Sequence, residues 1–380
     1  MINPQDFLSA LKSVGIEFVA GVPDSLLKHV CACMSDCLAP DRHVVAANEG
    51  AAVGLAIGHF LATGRPGLVY MQNSGLGNTV NPLASLTDPD VYAIPMVLLI
   101  GWRGEMLANG AQKKDEPQHV KQGRITPDLL DVLGIPYRVV GADTDVLVCL
   151  QELKAHAVAR SGPTAMVVRK GAFAPYQFKG AREEGHLPSR EEAIHAVLKA
   201  LPNDVPVVST TGMASREVFE HRKFSQAGHH RDFLTVGGMG HASSIAAGIA
   251  LCRPELKVVC IDGDGAVLMH MGSLAITSQR PNMLHIVLNN GAHDSVGGQP
   301  TRAAEISLAR IAKQCGYALV QETASIEDTT EALRGMLEFP NSCLLEIRCR
   351  RGNRPDLGRP DRTPVQNRDD FMEFLGAAKK

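Results

Sequence analysis

Twelve short apolar runs, rich in β-branched residues, recur along this chain with longer amphipathic stretches between them. They fall at 18–22, 44–47, 67–71, 96–100, 137–140 and 165–168, then at 205–209, 233–236, 257–261, 284–288, 318–321 and 343–347. Runs of this kind, without the polar alternation of a half-exposed sheet, read as strands buried on both faces. Alternating with helical stretches, they build parallel sheets covered by helices. Six runs lie on either side of one polar stretch, PYQFKGAREEGHLPSR at 175–190. The expectation is α/β: two doubly wound parallel-sheet domains of related design, over 1–176 and 191–380, joined by a linker at 177–190 and with no middle domain. Ser189-Arg190-Glu191-Glu192 fits a capping box opening the first helix after the linker. Open parallel sheets bind ligands at the carboxyl ends of their strands, so the chemistry belongs in residues that directly follow the runs.

Composition narrows the classes. Lys and Arg number 38 against 40 Asp and Glu, which gives no electrostatic footing for nucleic acid or an anionic membrane. No apolar run approaches transmembrane length, and the first residues lack a basic–apolar signal pattern. Nine cysteines is an odd number, and Cys260 and Cys343 sit in apolar runs; they read as reduced thiols of a cytoplasmic protein. Cys31, Cys33 and Cys37 match no zinc spacing. No Gly-x-Gly-x-x-Gly opens a helix after an early strand, which argues against a dinucleotide site.

The most specific motif is Gly263-Asp264-Gly265 at one strand end, followed by Asn289-Asn290 at the next, with 26 positions between Asp264 and Asn290. Glycines let a backbone approach a diphosphate closely. Asp264, an asparagine (Asn290 favoured) and the Ala292 carbonyl are hard oxygen donors of the kind Mg²⁺ takes together with phosphate oxygens. The pair resembles the metal–diphosphate clamp of the thiamine diphosphate enzymes. That resemblance implies a carboxylate on the other domain to activate the cofactor, and Glu49 in Asn48-Glu49-Gly50-Ala51-Ala52 matches it. It also implies an apolar wedge that bends the cofactor. Met239, between Gly238 and Gly240 and 25 positions before Asp264, matches that, with its N–H and the Gly237 carbonyl on the pyrimidine edge. The first domain is then pyrimidine-binding and the second diphosphate- and Mg²⁺-binding.

Longer segments are similar to one group of these enzymes, the phosphonopyruvate and sulfopyruvate decarboxylases. They are Gly21-Val22-Pro23-Asp24-Ser25-Leu26-Leu27, Met71-Gln72-Asn73-Ser74-Gly75-Leu76-Gly77-Asn78, Gly101-Trp102-Arg103-Gly104-Glu105, Asp115-Glu116-Pro117-Gln118-His119, Thr210-Thr211-Gly212 with Ser215-Arg216-Glu217, and Asp356-Leu357-Gly358-Arg359-Pro360. The resemblance implies Asp24 and His119 as proton carriers beside Glu49. It implies Asn73, Gly75, Thr211, Gly212, Ser215, Gly263, Gly265, Ala266 and His293 around the cofactor. Ser25, Arg103, Lys121 and Arg216 are the candidates to hold an anionic substrate. The implied reaction is non-oxidative decarboxylation of 3-phosphonopyruvate to 2-phosphonoacetaldehyde and CO₂ in phosphonate (antibiotic) biosynthesis, with sulfopyruvate as the alternative substrate. A homo-oligomer, at least a dimer with the site at the subunit interface, is implied as well. One segment departs from the group: 106–114 is longer and lacks the usual proline. Its Lys113 and Lys114 are candidates to attract a dianion, or simply solvated.

Overall fold

The structure, a computed structural model, describes residues 1–107, 109–180 and 185–377. Ala108 of the lengthened loop and residues 181–184 of the expected linker lie outside the described residues. All twelve apolar runs are strands. The first sheet holds β1 (Val19–Gly21), β2 (His43–Val45), β3 (Gly67–Gln72), β4 (Met96–Gly101), β5 (Tyr137–Val140) and β6 (Pro163–Val168). The second holds β7 (Val207–Ser209), β8 (Asp232–Leu234), β9 (Val258–Gly263), β10 (Met283–Asn289), β11 (Leu319–Thr323) and β12 (Cys343–Arg348).

The strand orders are β2-β1-β3-β4-β6-β5 and β11-β12-β10-β9-β7-β8, and every neighbouring pair is parallel. Counted one to six in chain order, the second sheet reads 5-6-4-3-1-2, which is the first order taken from its other edge. The two sheets therefore share one topology, the related design that six runs and six runs suggested. Burial explains why the strands lack alternation: every residue of β4 and β6 is buried, as is every residue of β10. Helices cover both faces, and each sheet carries its own apolar cores.

The chain forms two compact units: residues up to 180 together with Val296–Gln299, and residues 185–295 with 300–377. Ser189 caps the helix Arg190–Ala200 with a full capping box to Glu192. This topology sets where ligands bind. In each sheet the order reverses beside the first strand, between β1 and β3 and between β7 and β9. A crevice opens at such a switch point, beyond the carboxyl ends of the strands. The residues after those ends are Asp24, Asn73, Thr211 and Asp264. Among the described residues no helix is long and apolar enough to cross a membrane.

Candidate active site

In the first unit, Glu49 opens the helix Glu49–Thr63, and Asn48 caps that helix through a 2.7 Å bond from the Gly50 N–H. The helix N-terminus favours a carboxylate there. Glu49 is nonetheless buried, and Asn78 Nδ2 donates to its Oε2 at 2.7 Å. The other oxygen lies over Gly75: a β-carbon built there would stand 2.5 Å from Oε1 and 2.7 Å from Cγ and Cδ. Gly75 has φ −73° and ψ −14°, a conformation open to any residue, so its missing side chain serves the carboxylate and not the turn.

Asp24, just beyond β1, is fully buried. Burial pushes its carboxyl up to about 6, partly offset by the N–H groups of Leu27 and Leu26, which donate to Oδ2 at 3.1 and 3.0 Å, and by the charge of Arg103. Arg103 follows β4. Its Nε donates to Asp115 Oδ2 at 2.8 Å, its Nη2 donates to Asp115 Oδ1, and its Nη1 donates to Ser25 Oγ at 2.9 Å. Burial acts to raise the Asp115 carboxyl, but this two-pronged bond and the Gly104 and Glu116 amides hold it well below the usual carboxylate range. His119 lies in the first turn of the helix Pro117–Val132, and burial, then the Arg103 charge, lowers its pKa. Asp24, Ser25, Arg103 and His119 thus form one electrostatic group. Asn73 ties it to β3: Nδ2 donates to the Arg103 carbonyl and to Thr126, both at 3.0 Å, and Oδ1 accepts the Arg103 N–H at 3.2 Å. With its amide committed inside the fold, Asn73 acts here as a brace.

Two lysines read from the sequence differ in their settings. Lys121 is exposed. It sits two residues past buried His119, about 200° around the helix. Lys113 pairs with the buried carboxylate of Glu105 at 2.8 Å instead of facing a dianion. The lengthened loop forms an antiparallel bridge between Met106 and Gln112, and Gln112 Nε2 clamps it to the Gly104 and Val120 carbonyls at 2.7 Å each.

In the second unit, Gly212 follows β7 with φ +92°, a conformation that side chains disfavour, and turns the chain into the helix Met213–Phe224. Its Cα face is close to the segment after the metal motif, since a β-carbon there would stand 2.9 Å from Ser295 Oγ. Such a helix start presents free N–H groups to phosphate. Half-buried Thr211 precedes it and half-buried Arg216 lies in its first turn. The Ser215 hydroxyl donates to the Thr210 carbonyl at 2.6 Å, which braces the turn. Beyond β8, Gly237 and Met239 are partly exposed. Met239 Cε would lie 3.5 Å from a β-carbon on Gly265, and His293 Cε1 3.0 Å from it, so Met239, Gly265 and His293 converge on one spot. Part of His293 meets solvent, yet its ring is packed in and burial lowers its pKa to about 4. Ala266 is buried in the short helix Asp264–Met269 that Gly263 caps.

The two adjacent asparagines separate clearly. Asn289 faces inward, donating to Glu346 Oε1 at 2.6 Å and to the Ala303 carbonyl at 3.1 Å. Asn290, past the strand end, donates to Asp294 Oδ2 at 2.6 Å and accepts the N–H of buried Ala292 at 3.1 Å. Asp264 is buried and accepts a hydrogen bond from the Thr301 hydroxyl. Burial pushes its carboxyl up to about 7, with the Thr301 bond opposing and the charge of Asp294 adding to the rise. A buried carboxylate beside a second one and an amide is a donor set that a hard divalent cation relieves, so these residues fit the metal read from the sequence. Asn78, Asp115 and Thr301 carry no site role in the sequence reading and reach Glu49, Arg103 and Asp264 across 29, 12 and 37 positions, whereas Asp294, four positions past Asn290, is within reach of a local reading.

Comparison with known proteins agrees with this geometry. The N-terminal TPP binding domain of thiamine pyrophosphate enzymes matches residues 4–128, and the C-terminal TPP binding domain matches residues 210–347. The chain belongs to the thiamine pyrophosphate enzymes. It is 36% identical to a phosphonopyruvate decarboxylase of Streptomyces viridochromogenes, over 99% of this chain and 95% of that one. It is 36% identical to a phosphonopyruvate decarboxylase of Streptomyces hygroscopicus, over 98% and 94%. A sulfopyruvate decarboxylase of Methanosarcina acetivorans is 27% identical over 100% and 99%. The activity class is that of a thiamine diphosphate-dependent decarboxylase.

Proposed function

We propose that this chain decarboxylates 3-phosphonopyruvate to 2-phosphonoacetaldehyde and CO₂, using thiamine diphosphate and Mg²⁺. The observation that carries this reading is the 36% identity, over nearly the whole chain, to two phosphonopyruvate decarboxylases. Bound thiamine diphosphate supplies the electron sink that lets a 2-oxo acid lose CO₂. The residues supply the rest. Glu49, held by Asn78 over Gly75, would be the carboxyl group to exchange a proton with the aminopyrimidine of the bound cofactor. The helix start after Gly212 and the backbone at Gly263–Gly265 would cradle its diphosphate. Asp264, Asn290 and the Ala292 carbonyl would hold the Mg²⁺. Asp24, whose proton is retained up to about pH 6, is suited to return a proton to the substrate carbon. Arg103 and Ser25 are suited to bind an anionic group, which also restrains the phosphonate from C–P cleavage.

The test is a coupled aldehyde assay with phosphonopyruvate, sulfopyruvate and pyruvate side by side, in the presence of thiamine diphosphate and Mg²⁺. Phosphonopyruvate is expected to have the largest kcat/KM. A larger value for sulfopyruvate selects the second reading, which the 27% identity to a sulfopyruvate decarboxylase supports; equal values for all three reject recognition of a C3 anion.

A homodimer is part of this proposal. The helix Glu49–Thr63 exposes Ala51, Gly54, Leu55, Gly58 and Leu61, an apolar face. Its counterpart after β8, Ala242–Cys252, exposes Gly248 and Leu251. Both helices follow the second strand of their sheets and start beside the motifs of Glu49 and Met239. Apolar faces in equivalent places on both units suit burial against a second copy, with Glu49 serving cofactor held by that copy. Sedimentation of the active enzyme should show at least a dimer; an active monomer would exclude the shared site.

A further inference from the structure

The metal motif read from the sequence ends at Asn290 and Ala292, but the structure continues it through three more side chains. Asn290 donates through Nδ2 to Asp294 Oδ2 at 2.6 Å. The same oxygen accepts the Gly352 N–H at 2.8 Å and Arg190 Nη1 at 3.3 Å. Arg190 in turn grips both oxygens of Glu217, from Nε and Nη2, at 2.8 Å each. Arg190 and Glu217 are 7% and 1% exposed. The result is a continuous chain of bonds, Glu217–Arg190–Asp294–Asn290, buried at Glu217 and Arg190 and half-buried at Asp294 and Asn290, leading from the first two helices of the second unit to the metal loop.

An asparagine amide has two faces with opposite chemistry. Only its oxygen can ligate a cation; a half-turn would aim its NH₂ group there instead. The Asp294 carboxylate, which can only accept, fixes which face is which by taking the NH₂. That control holds only while Asp294 itself stays in place. Left without a cationic partner, a carboxylate beside a divalent ion would be drawn toward that ion and would release Asn290. The planar Arg190 fork, already locked by Glu217, prevents this.

We propose that Arg190 is a positioning residue for the metal site: it anchors Asp294 so that Asn290 presents oxygen to the cation. The inference rests on the reading of Asp264 and Asn290 as metal ligands. The competing account is structural, with Arg190 and Glu217 merely joining the helices Arg190–Ala200 and Met213–Phe224. The two accounts differ in sign as well as size. Removing a positive charge near a cation site strengthens cation binding by simple electrostatics. Loss of positioning weakens it: a partner one step beyond the ligands, as Asp294 is, is worth about 10- to 100-fold, and Arg190, one step further out, belongs at the lower end of that range.

The experiment is Mn²⁺ binding to the full chain with thiamine diphosphate present, followed by electron paramagnetic resonance of the free ion; Mn²⁺ shares the oxygen preference of Mg²⁺. Arg190→Gln is expected to raise the Mn²⁺ Kd about 10-fold. Arg190→Lys, which keeps the charge but loses the fork, is expected to raise it too, and carries the test if the glutamine variant does not fold. An unchanged or lower Kd in the folded variant overturns the proposal, whatever its Tm. Asp264→Ala separates the two levels of inference. If it binds Mn²⁺ like wild type, the metal reading fails and takes the proposal with it. If it abolishes binding while the Arg190 variants bind normally, only the proposal fails.

Discussion

Glu49→Gln is expected to lower kcat by about 100- to 10,000-fold, the usual contribution of a positioned acid–base group, with cofactor binding and Tm close to wild type. Glutamine has the same shape and keeps an acceptor oxygen for Asn78, whose Nδ2 stands 2.7 Å from Glu49 Oε2. What it loses is the exchangeable proton. Gly75→Ala supplies the companion measurement. The new methyl would lie 2.5 Å from Glu49 Oε1, too close to coexist, in a turn that tolerates alanine. The carboxylate must therefore move while remaining ionisable. A displacement near 1 Å at a reacting group costs about 100-fold, so Gly75→Ala is expected to reduce kcat to that extent without unfolding the chain. Decarboxylation at the wild-type rate in Glu49→Gln would remove Glu49 from the mechanism, and unimpaired turnover in Gly75→Ala would show that its placement is not critical.

The strands were legible because burial on both faces leaves a uniform apolar signal, and Asp24 and Asp264 could be read as following strand ends, whereas the strand order that makes those ends switch points could not. The motif of Asp264 and Asn290 was legible for a related reason: both stand directly at the ends of adjacent strands, where a cation and a diphosphate held at one sheet edge would require them. What stayed hidden was whatever depends on long separations. Asn78 meets Glu49 across 29 positions, and Arg190 meets Asp294 across 104. No local pattern requires an asparagine or an arginine at those distances. The cradle at Gly75 is silent too, because a glycine in an ordinary conformation looks like any turn residue until a carboxylate lies over it. Lys121 shows how little a local pattern says of direction. It was a candidate only as a cation for the substrate anion, and helical geometry turns it about 200° away from buried His119, to an exposed position. Lys113, read as attracting a dianion or simply solvated, instead pairs with the buried carboxylate of Glu105, a residue the sequence offered as part of a resemblance segment with no partner named.

Asp24→Asn is expected to lower turnover about 100-fold or more and, separately, to alter how stability depends on pH. The carboxyl is fully buried and titrates at about 6 in the folded chain, against about 4 when unfolded. The folded state therefore holds this proton more tightly. Its contribution to stability is complete below about pH 4, declines from there and is lost as pH rises through the folded pKa. A difference of about two units corresponds to about 3 kcal/mol. Asparagine cannot ionise, and its Oδ1 can still accept the Leu26 and Leu27 amides, which stand 3.0 and 3.1 Å from the Asp24 carboxylate. The Tm of the variant, compared with wild type, should accordingly shift in the variant's favour between pH 4 and pH 7. A difference that is flat with pH would contradict the raised pKa. The catalytic role is read from kcat: if neutral Asp24 delivers the proton, wild-type kcat declines above about pH 6 and the residual rate of the variant lacks that limb. Retention of both the rate and the limb in Asp24→Asn would leave Asp24 a buried titrating group with no part in proton delivery, and would shift that role to His119, the other proton-carrying side chain under the influence of Arg103.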